Sequence, residues 1–450
     1  MNALDRDLAG DVLEPTDSRS AVLEPAFYDE YNQRQPRAVV RVADASDIAA
    51  TIRFARDTGA ALAVRAGGHS VMGHSSSDGG LVVDMSALKS IAVDLDGRTA
   101  RAGGGVLAGE YTARTARHGL ITGFGDTPSV GIAGLTLGGG VGFLHRKLGL
   151  TIDSLLGAEI VTADGEIRTI DDGNDPDLFW AIRGGGGNFG VVTTLHYQLH
   201  EVDTVVGGMI VLPATPALVT EFVTAALEAS DDLSVVAGVT VAPPLPFLPS
   251  EAHGELVMLG MMVHAGDPDL AATEVGRFRG LATPLVDGLQ TMQFADIYGG
   301  EEPPHPAAMS IRSVFSDEFT PEDAEMAVEA LSTATADMNV LQIRVLGGAV
   351  ARVPDDATAF GHRRRAMILN VAAAYGDPTR RPEHEVWAGG LSGALQRGEP
   401  GAYVNFLGDD SAEAVRAAYP EATWDRLVDV KTKYDQDNLF SANHNIVPRG

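Results

Sequence analysis

Residues able to do chemistry gather in four glycine-rich loops: RAGGHS at 65–70, RAGGGVLAGE at 101–110, GLTLGGGVGF at 134–143 and RGGGGNFG at 183–190. Glycine accepts positive φ and lets backbone N–H groups converge on a phosphate. Four such loops, with Arg65 and Arg183 leading the first and last, point to a large phosphate-bearing cofactor spread over several loops. The plainer reading is a set of tight turns in a β-rich domain. His69 stands among the glycines of the first loop, with His74 five residues on. A packing role, metal ligation and attachment of something larger are all open to it. No acidic or third histidine ligand follows at metal-site spacing, so no metal is expected. GGGVLA at 103–108 matches G-x-G-x-x-A, with Asp126 about twenty residues on, as a dinucleotide site requires. Against that, GLITGFGD at 119–126 is a poor second strand and the unit does not open its domain. No G-x-x-x-x-G-K-[ST] loop is present.

The elements that must position these loops can be read from pattern. RAVVRVA at 37–43 is a predicted strand. DASDIAATIRFARDTG at 44–59 is a predicted helix, capped by Asp44 or Ser46 and stopped by a glycine. ALAVRA, GLVVDM, SIAVDL and RTARAGGG follow as short strands. Beyond Glu201 the glycine density falls and longer units appear, such as VGGMIVL, then TPALVTEFVTAALEA, and later LQIRVLGGAV. The segment 411–448 reads as two helices and an ordered polar tail. The 450-residue length implies two or three domains. Cysteine is absent, which excludes disulfides, a thiolate nucleophile and Cys-ligated metals. Only four of the 33 basic residues are lysine, and the net charge is −28, which repels nucleic acid and anionic membranes. Solubility and adaptation to high salt both account for such acidity. The N-terminus lacks a signal-peptide pattern, and the most apolar run, LSVVAGVTVAPPLPFLP, is broken by four prolines. A cytoplasmic protein is expected, with no membrane partner.

Five runs, in this order, carry a resemblance: VRAGGHS, GGGVGFLHRKLGLTIDSLLGAEIVTADGEI, DLFWAIRGGGGNFGVVT, YVNF and YDQDNLFSANHNI. They resemble the berberine-bridge-enzyme-like FAD-linked oxidases of the vanillyl-alcohol-oxidase superfamily, and within them the bacterial 6-hydroxy-D-nicotine-oxidase type. The resemblance implies an α+β fold. After an N-terminal segment, 1–36, it places a PCMH-type FAD-binding domain of two subdomains over 37–202. A substrate-binding domain follows over 203–408, its antiparallel sheet lying over the flavin, and 409–450 returns to the FAD domain. The cofactor positions so implied are Arg65, Ala66, Gly67, Gly68, His69 and Ser70 in the first loop. Thr127, Pro128, Gly131, Gly134, Gly138, Gly139 and Gly142 follow, then Asn188, Gly190, Val191 and Val192, and finally Asn443 and Asn445. In this family the histidine of the GGH motif bonds covalently to the flavin 8α-methyl, and His69 holds that position. Relatives with a second tether use the cysteine of C-P-x-V-G. Here the run is TPSVG, with Thr127 in its place, so attachment through His69 alone is implied. Leu135 stands where plant relatives often carry a histidine near the flavin.

Many relatives take a proton with the last tyrosine of Y-x-N-Y, but YVNF ends in Phe406, which cannot. Asn405, Tyr403 and Gln342 are the catalytic candidates, with Arg344 beside Gln342 on one side of a predicted strand; a solvent-facing side is the plainer reading of that pair. A substrate that arrives deprotonated, such as a neutral amine, needs no base. His145 and His362 read as structural or surface residues, and Arg363–Arg365 as a solvated helix face. Phe179 and Trp180 read as core, Asn438 and Leu439 as a turn and its anchor. The expected function is an FAD-dependent oxidase that takes hydride from a C–H beside an amine or hydroxyl of a small molecule, with O2 as acceptor. A sugar or secondary-metabolite alcohol is the alternative substrate. A vestigial flavoprotein and an NAD-dependent dehydrogenase are the other classes.

Overall fold

The computed structural model describes residues 8–14, 28–244, 246–299 and 307–450. Residues 1–7 and 15–27 of the N-terminal segment lie outside the described residues. What is described there includes strand β1 (Asp11–Leu13), which pairs antiparallel with β2 (Ala38–Arg41). The first sheet is completed by β3 (Leu62–Arg65) and β4 (Leu81–Asp84), in the order β1-β2-β4-β3, with β4 parallel to both neighbours. The helix Ala45–Thr58 links β2 to β3. The Asp44 carboxylate accepts from the N–H of Ser46 and of Asp47 at its start, and Gly59 closes it with φ +66°. That is the side-chain cap and left-handed exit expected of such a helix.

The second sheet is antiparallel throughout and runs β5-β6-β10-β8-β9. Its strands are β5 (Ile91–Asp94), β6 (Thr99–Gly103), β8 (Leu155–Val161), β9 (Ile167–Ile170) and β10 (Val191–Gln198). Gly103 ends a strand whose two neighbours are both antiparallel, so the 103–108 loop is not the turn of a parallel β-α-β dinucleotide unit. β7 (Leu120–Ile121) and β11 (His200–Glu201) form a separate pair.

The third sheet holds eight strands. They are β12 (Thr204–Pro213), β13 (Leu233–Val241), β14 (Leu256–His264), β15 (Val286–Asp287), β16 (Gln290–Gln293), β17 (Ala308–Ser316), β18 (Met338–Val345) and β19 (Met367–Tyr375). The order is β15-β12-β14-β13-β18-β19-β17, with β16 also paired to β12. One face packs on the helices Pro216–Glu228, Pro268–Arg279, Pro321–Ser332 and Arg381–Leu395, through Phe222, Phe278, Ala327 and Leu391. Side chains alternate along a strand, so Leu341, Ile343 and Val345 of β18 join that core while Val340, Gln342 and Arg344 face the other way. Among the described residues no helix is long and apolar enough to cross a membrane.

One feature departs from expectation. The Arg363–Arg365 run is not helical and not a solvated face. Arg363 is wholly buried, its two Nη atoms each 2.8 Å from the Asp153 carboxylate, and Arg365 Nε lies 2.6 Å from Asp317; only Arg364 is exposed. The chain end is held as firmly as the core. Lys431, in the helix Glu421–Tyr434, is fully buried and donates to Asp435 at 2.6 Å and to the carbonyls of Asn188 and Phe440 at 2.9 Å. Asp435 in turn accepts from the N–H of Leu439 and Phe440. One ammonium thus joins the last helix, the final segment and the fourth glycine loop. Lys431→Met strands a buried carboxylate and is expected to cost about 3–5 kcal/mol, read as a lowered midpoint in urea unfolding.

Candidate functional site

A cavity of about 550 Å³ runs between the two smaller sheets and the free face of the third. Its narrow part is made of bare backbone. Gly67 and Gly131 face each other so closely that a Cβ on Gly67 would stand 2.3 Å from Gly131 N, and one on Gly131 2.6 Å from Gly67 N. No side chain fits between those loops. A Cβ on Gly134 or Gly187 would meet nothing within 4 Å, because both border the cavity itself. Asn188, fully buried, donates from Nδ2 to the carbonyls of Gly185 (2.9 Å) and His444 (3.1 Å) and accepts from Ile446 N–H (2.9 Å). This ties the fourth loop to the chain's last segment. The buried Oδ1 of Asn443, at the cavity wall, has no hydrogen-bond partner among the described residues. An elongated ligand that offers donors and lies against glycine backbone suits this channel.

The sequence-derived cofactor positions divide. Ala66, Gly67, Gly68, His69, Ser70, Thr127, Gly131, Gly134, Asn188, Gly190, Val191, Val192 and Asn443 line the cavity. Arg65, Pro128, Gly138, Gly139, Gly142 and Asn445 do not. The three glycines among these serve chain packing instead. A Cβ at Gly138 would strike Asn405, one at Gly142 the Phe124 carbonyl, and Gly139 takes φ +131° beside Phe360 and Tyr403. His69 Nε2 lies 2.8 Å from Ser129 Oγ, which orients the imidazole at the cavity wall.

At the other end, Tyr403, Asn405, Gln342 and Arg344 all line the cavity, with Phe406 and Leu135. The Tyr403 hydroxyl accepts from Gly140 N–H (2.9 Å) and from Asn405 Nδ2 (2.8 Å), and Asn405 also donates to the Leu135 carbonyl (2.9 Å). Burial pushes this phenol above its ordinary pKa, although both donors oppose the shift. Tyr403 therefore braces the glycine turn and is not a base poised near neutral pH. Gln342 and Arg344 do not face solvent: Arg344 is 2% exposed. Its Nε donates to Gln342 Oε1 (2.9 Å), which also accepts from Asn370 Nδ2 (3.1 Å) on the facing strand. Its Nη2 pairs with Asp126, and its guanidinium lies 5.1 Å from the Phe406 ring centre. Burial raises the Asp126 carboxyl, but Arg344 and the Thr127 hydroxyl outweigh it and hold the group below the usual carboxylate range. Arg344 Nη1 and Asn370 Oδ1 are buried with no hydrogen-bond partner among the described residues. Asn370 and His444 are wall residues that motif spacing did not single out, and it noted Asp126 only for a dinucleotide site. Asp126 adjoins Thr127, the one signal available; Asn370 is brought in by strand register alone.

Comparison with known proteins agrees with this geometry. Residues 36–171 match the family model described as FAD binding domain, and 402–447 the one described as berberine and berberine like. The chain is 31% identical to (R)-6-hydroxynicotine oxidase of Paenarthrobacter nicotinovorans, over 98% of each chain. It belongs to the berberine-bridge-enzyme-like FAD-linked oxidases. Among solved structures, 6-hydroxy-D-nicotine oxidase of Arthrobacter nicotinovorans superposes with a TM-score of 0.85 at 29% identity, covering 98% of both chains. Physcomitrella patens BBE-like 1 shares the fold, with a TM-score of 0.86 at 21% identity over 99% of this chain and 98% of that one. The loops 66–70 and 125–131, which supply much of the bare-backbone wall, fall within the segment that matches the FAD binding domain, and the third sheet supplies the face opposite them. Two substitutions separate channel from packing. Gly67→Ala is expected to lower both the unfolding midpoint and the flavin-to-protein absorbance ratio, because its methyl strikes backbone. Gly134→Ala is expected to lower flavin content alone.

Proposed function

We propose that this oxidase acts on a small neutral amine, carries FAD tethered through His69 alone, and uses O2 as electron acceptor. The single observation behind the substrate class is the state of the pocket's proton-accepting groups. Among the described cavity-lining residues Asp126 is the only carboxylate, and Arg344 occupies it. Tyr403 is committed to Gly140 and Asn405, and position 406 is phenylalanine. Among the described residues around Arg344 no unpaired carboxylate is left to hold an ammonium, and Tyr403 and Phe406 do not serve to deprotonate an alcohol. A neutral amine needs neither. Arg344 Nη1 and the Asn370 amide oxygen offer one donor and one acceptor to orient it, each costly to leave unmet.

Bound FAD supplies the hydride acceptor and passes the electrons to O2, which yields H2O2. The 2.8 Å contact between His69 Nε2 and Ser129 Oγ fixes the imidazole at the cavity wall, where attachment would take place. With no cysteine in the chain, Thr127 cannot provide a second thioether tether. The family's activity and the relative's printed substrate support this reading.

A peroxide-coupled assay over cyclic amines, oligosaccharides and phenolic alcohols tests it. Turnover is expected with amines, and Arg344→Met is expected to raise KM about ten- to hundredfold, the loss of hydrogen bonds from a charged donor. Turnover with sugars alone overturns the amine assignment, and silence with every class indicates a vestigial flavoprotein. After acid precipitation, flavin fluorescence is expected to stay with the polypeptide and to leave it in His69→Ala.

A further inference from the structure

We infer that His74, Asp410 and His444 form a binding site for a divalent metal ion of the zinc type at the rim of the flavin cavity. The three come from separate stretches: the loop that carries His69, the loop after Phe406, and the final segment. His74 Nε2 lies 3.1 and 3.0 Å from the two Asp410 oxygens, and His444 Nδ1 lies 2.8 Å from one of them. All three donor atoms fall within 4.8 Å of one another. Ligands at the roughly 2.0–2.2 Å bond lengths of zinc stand about 3–3.6 Å apart in a tetrahedron, so little movement is needed.

His444 supplies an independent observation. Its Nδ1 is buried and close to the carboxylate, yet off the angle at which a hydrogen bond forms. A cation between nitrogen and carboxylate satisfies both. The two rings meet edge-on, with centroids 4.8 Å apart and planes at 87°, so both converge on the carboxylate. Burial holds His444 below its ordinary pKa, toward the neutral imidazole that ligates metal. Two imidazoles with one carboxylate select Zn2+, Co2+ or Ni2+ over the oxygen-seeking Mg2+ and Ca2+. Such an ion ties the final segment and the 407–411 loop to the flavin-bearing loop. It stands apart from the substrate assignment, since none of the three touches the Gln342–Arg344 face.

Chelator-treated holoprotein titrated with Zn2+ by calorimetry, and with Co2+ by visible absorption, tests the site. One Zn2+ per chain, a raised melting temperature and tetrahedral Co2+ bands are expected, with no effect of Mg2+. Asp410→Asn and His444→Gln are each expected to weaken Zn2+ binding by at least about tenfold, a loss known for groups around metal sites. His118→Gln, at an exposed histidine elsewhere, is expected to leave it unchanged. Binding that survives both substitutions, or an unaltered hydrated Co2+ spectrum, overturns the proposal. Should either variant fail to fold, the Co2+ spectrum of the unaltered protein decides.

Discussion

The pairing of Arg344 with Asp126 is the contact on which the active face depends. Arg344 is carried by β18 of the large sheet, and Asp126 by the loop that runs into the Thr127–Gly131 wall of the glycine-lined channel. A guanidinium buried to 2% exposure is strongly unfavourable unless its charge is met, so the pair dictates how the large sheet sits over the channel. The same guanidinium orients Gln342 through Nε, and Gln342 orients Asn370 across the ladder. Its plane also stacks near Phe406, the residue that stands where relatives often carry a tyrosine. One ion pair thus places the polar groups of the pocket and occupies the only carboxylate that lines it among the described residues.

Much of this was legible in the sequence where one short run of residues determines the geometry. The Asp44 cap and Gly59 stop bound a helix as read, and the opening loop places His69 on the cavity wall. Alternation along 341–350 marked Gln342 and Arg344 as one face, though not which way it points. That direction depends on helices contributed by four distant segments. Glycine is the more ambiguous signal. Gly67 and Gly131 are bare because two loops meet backbone to backbone beside the cofactor channel, whereas Gly138 and Gly142 are bare because Asn405 and Phe124 press on them. Both patterns look alike in a string of letters.

Partners far apart in the chain were the least legible. Nothing local announces that Arg363 finds Asp153, that Lys431 reaches the Asn188 carbonyl, or that His74, Asp410 and His444 converge. A search by ligand spacing passes over that last cluster, because its members lie on three segments joined only by the fold. The run of three arginines illustrates the same point: charge alone suggested a wet surface, while pairing allowed two of the three to be buried.

The central claim is that the pocket binds a neutral amine, whose oxidation needs no protein base. Its most direct test is the pH dependence of anaerobic flavin reduction, followed by bleaching of the flavin absorbance with two amines of different pKa. The rate at fixed substrate concentration is predicted to rise as each amine loses its proton, so the profile moves with the amine. A profile that stays at one pH for both amines, and so reports an ionisable group of the protein, would contradict the account.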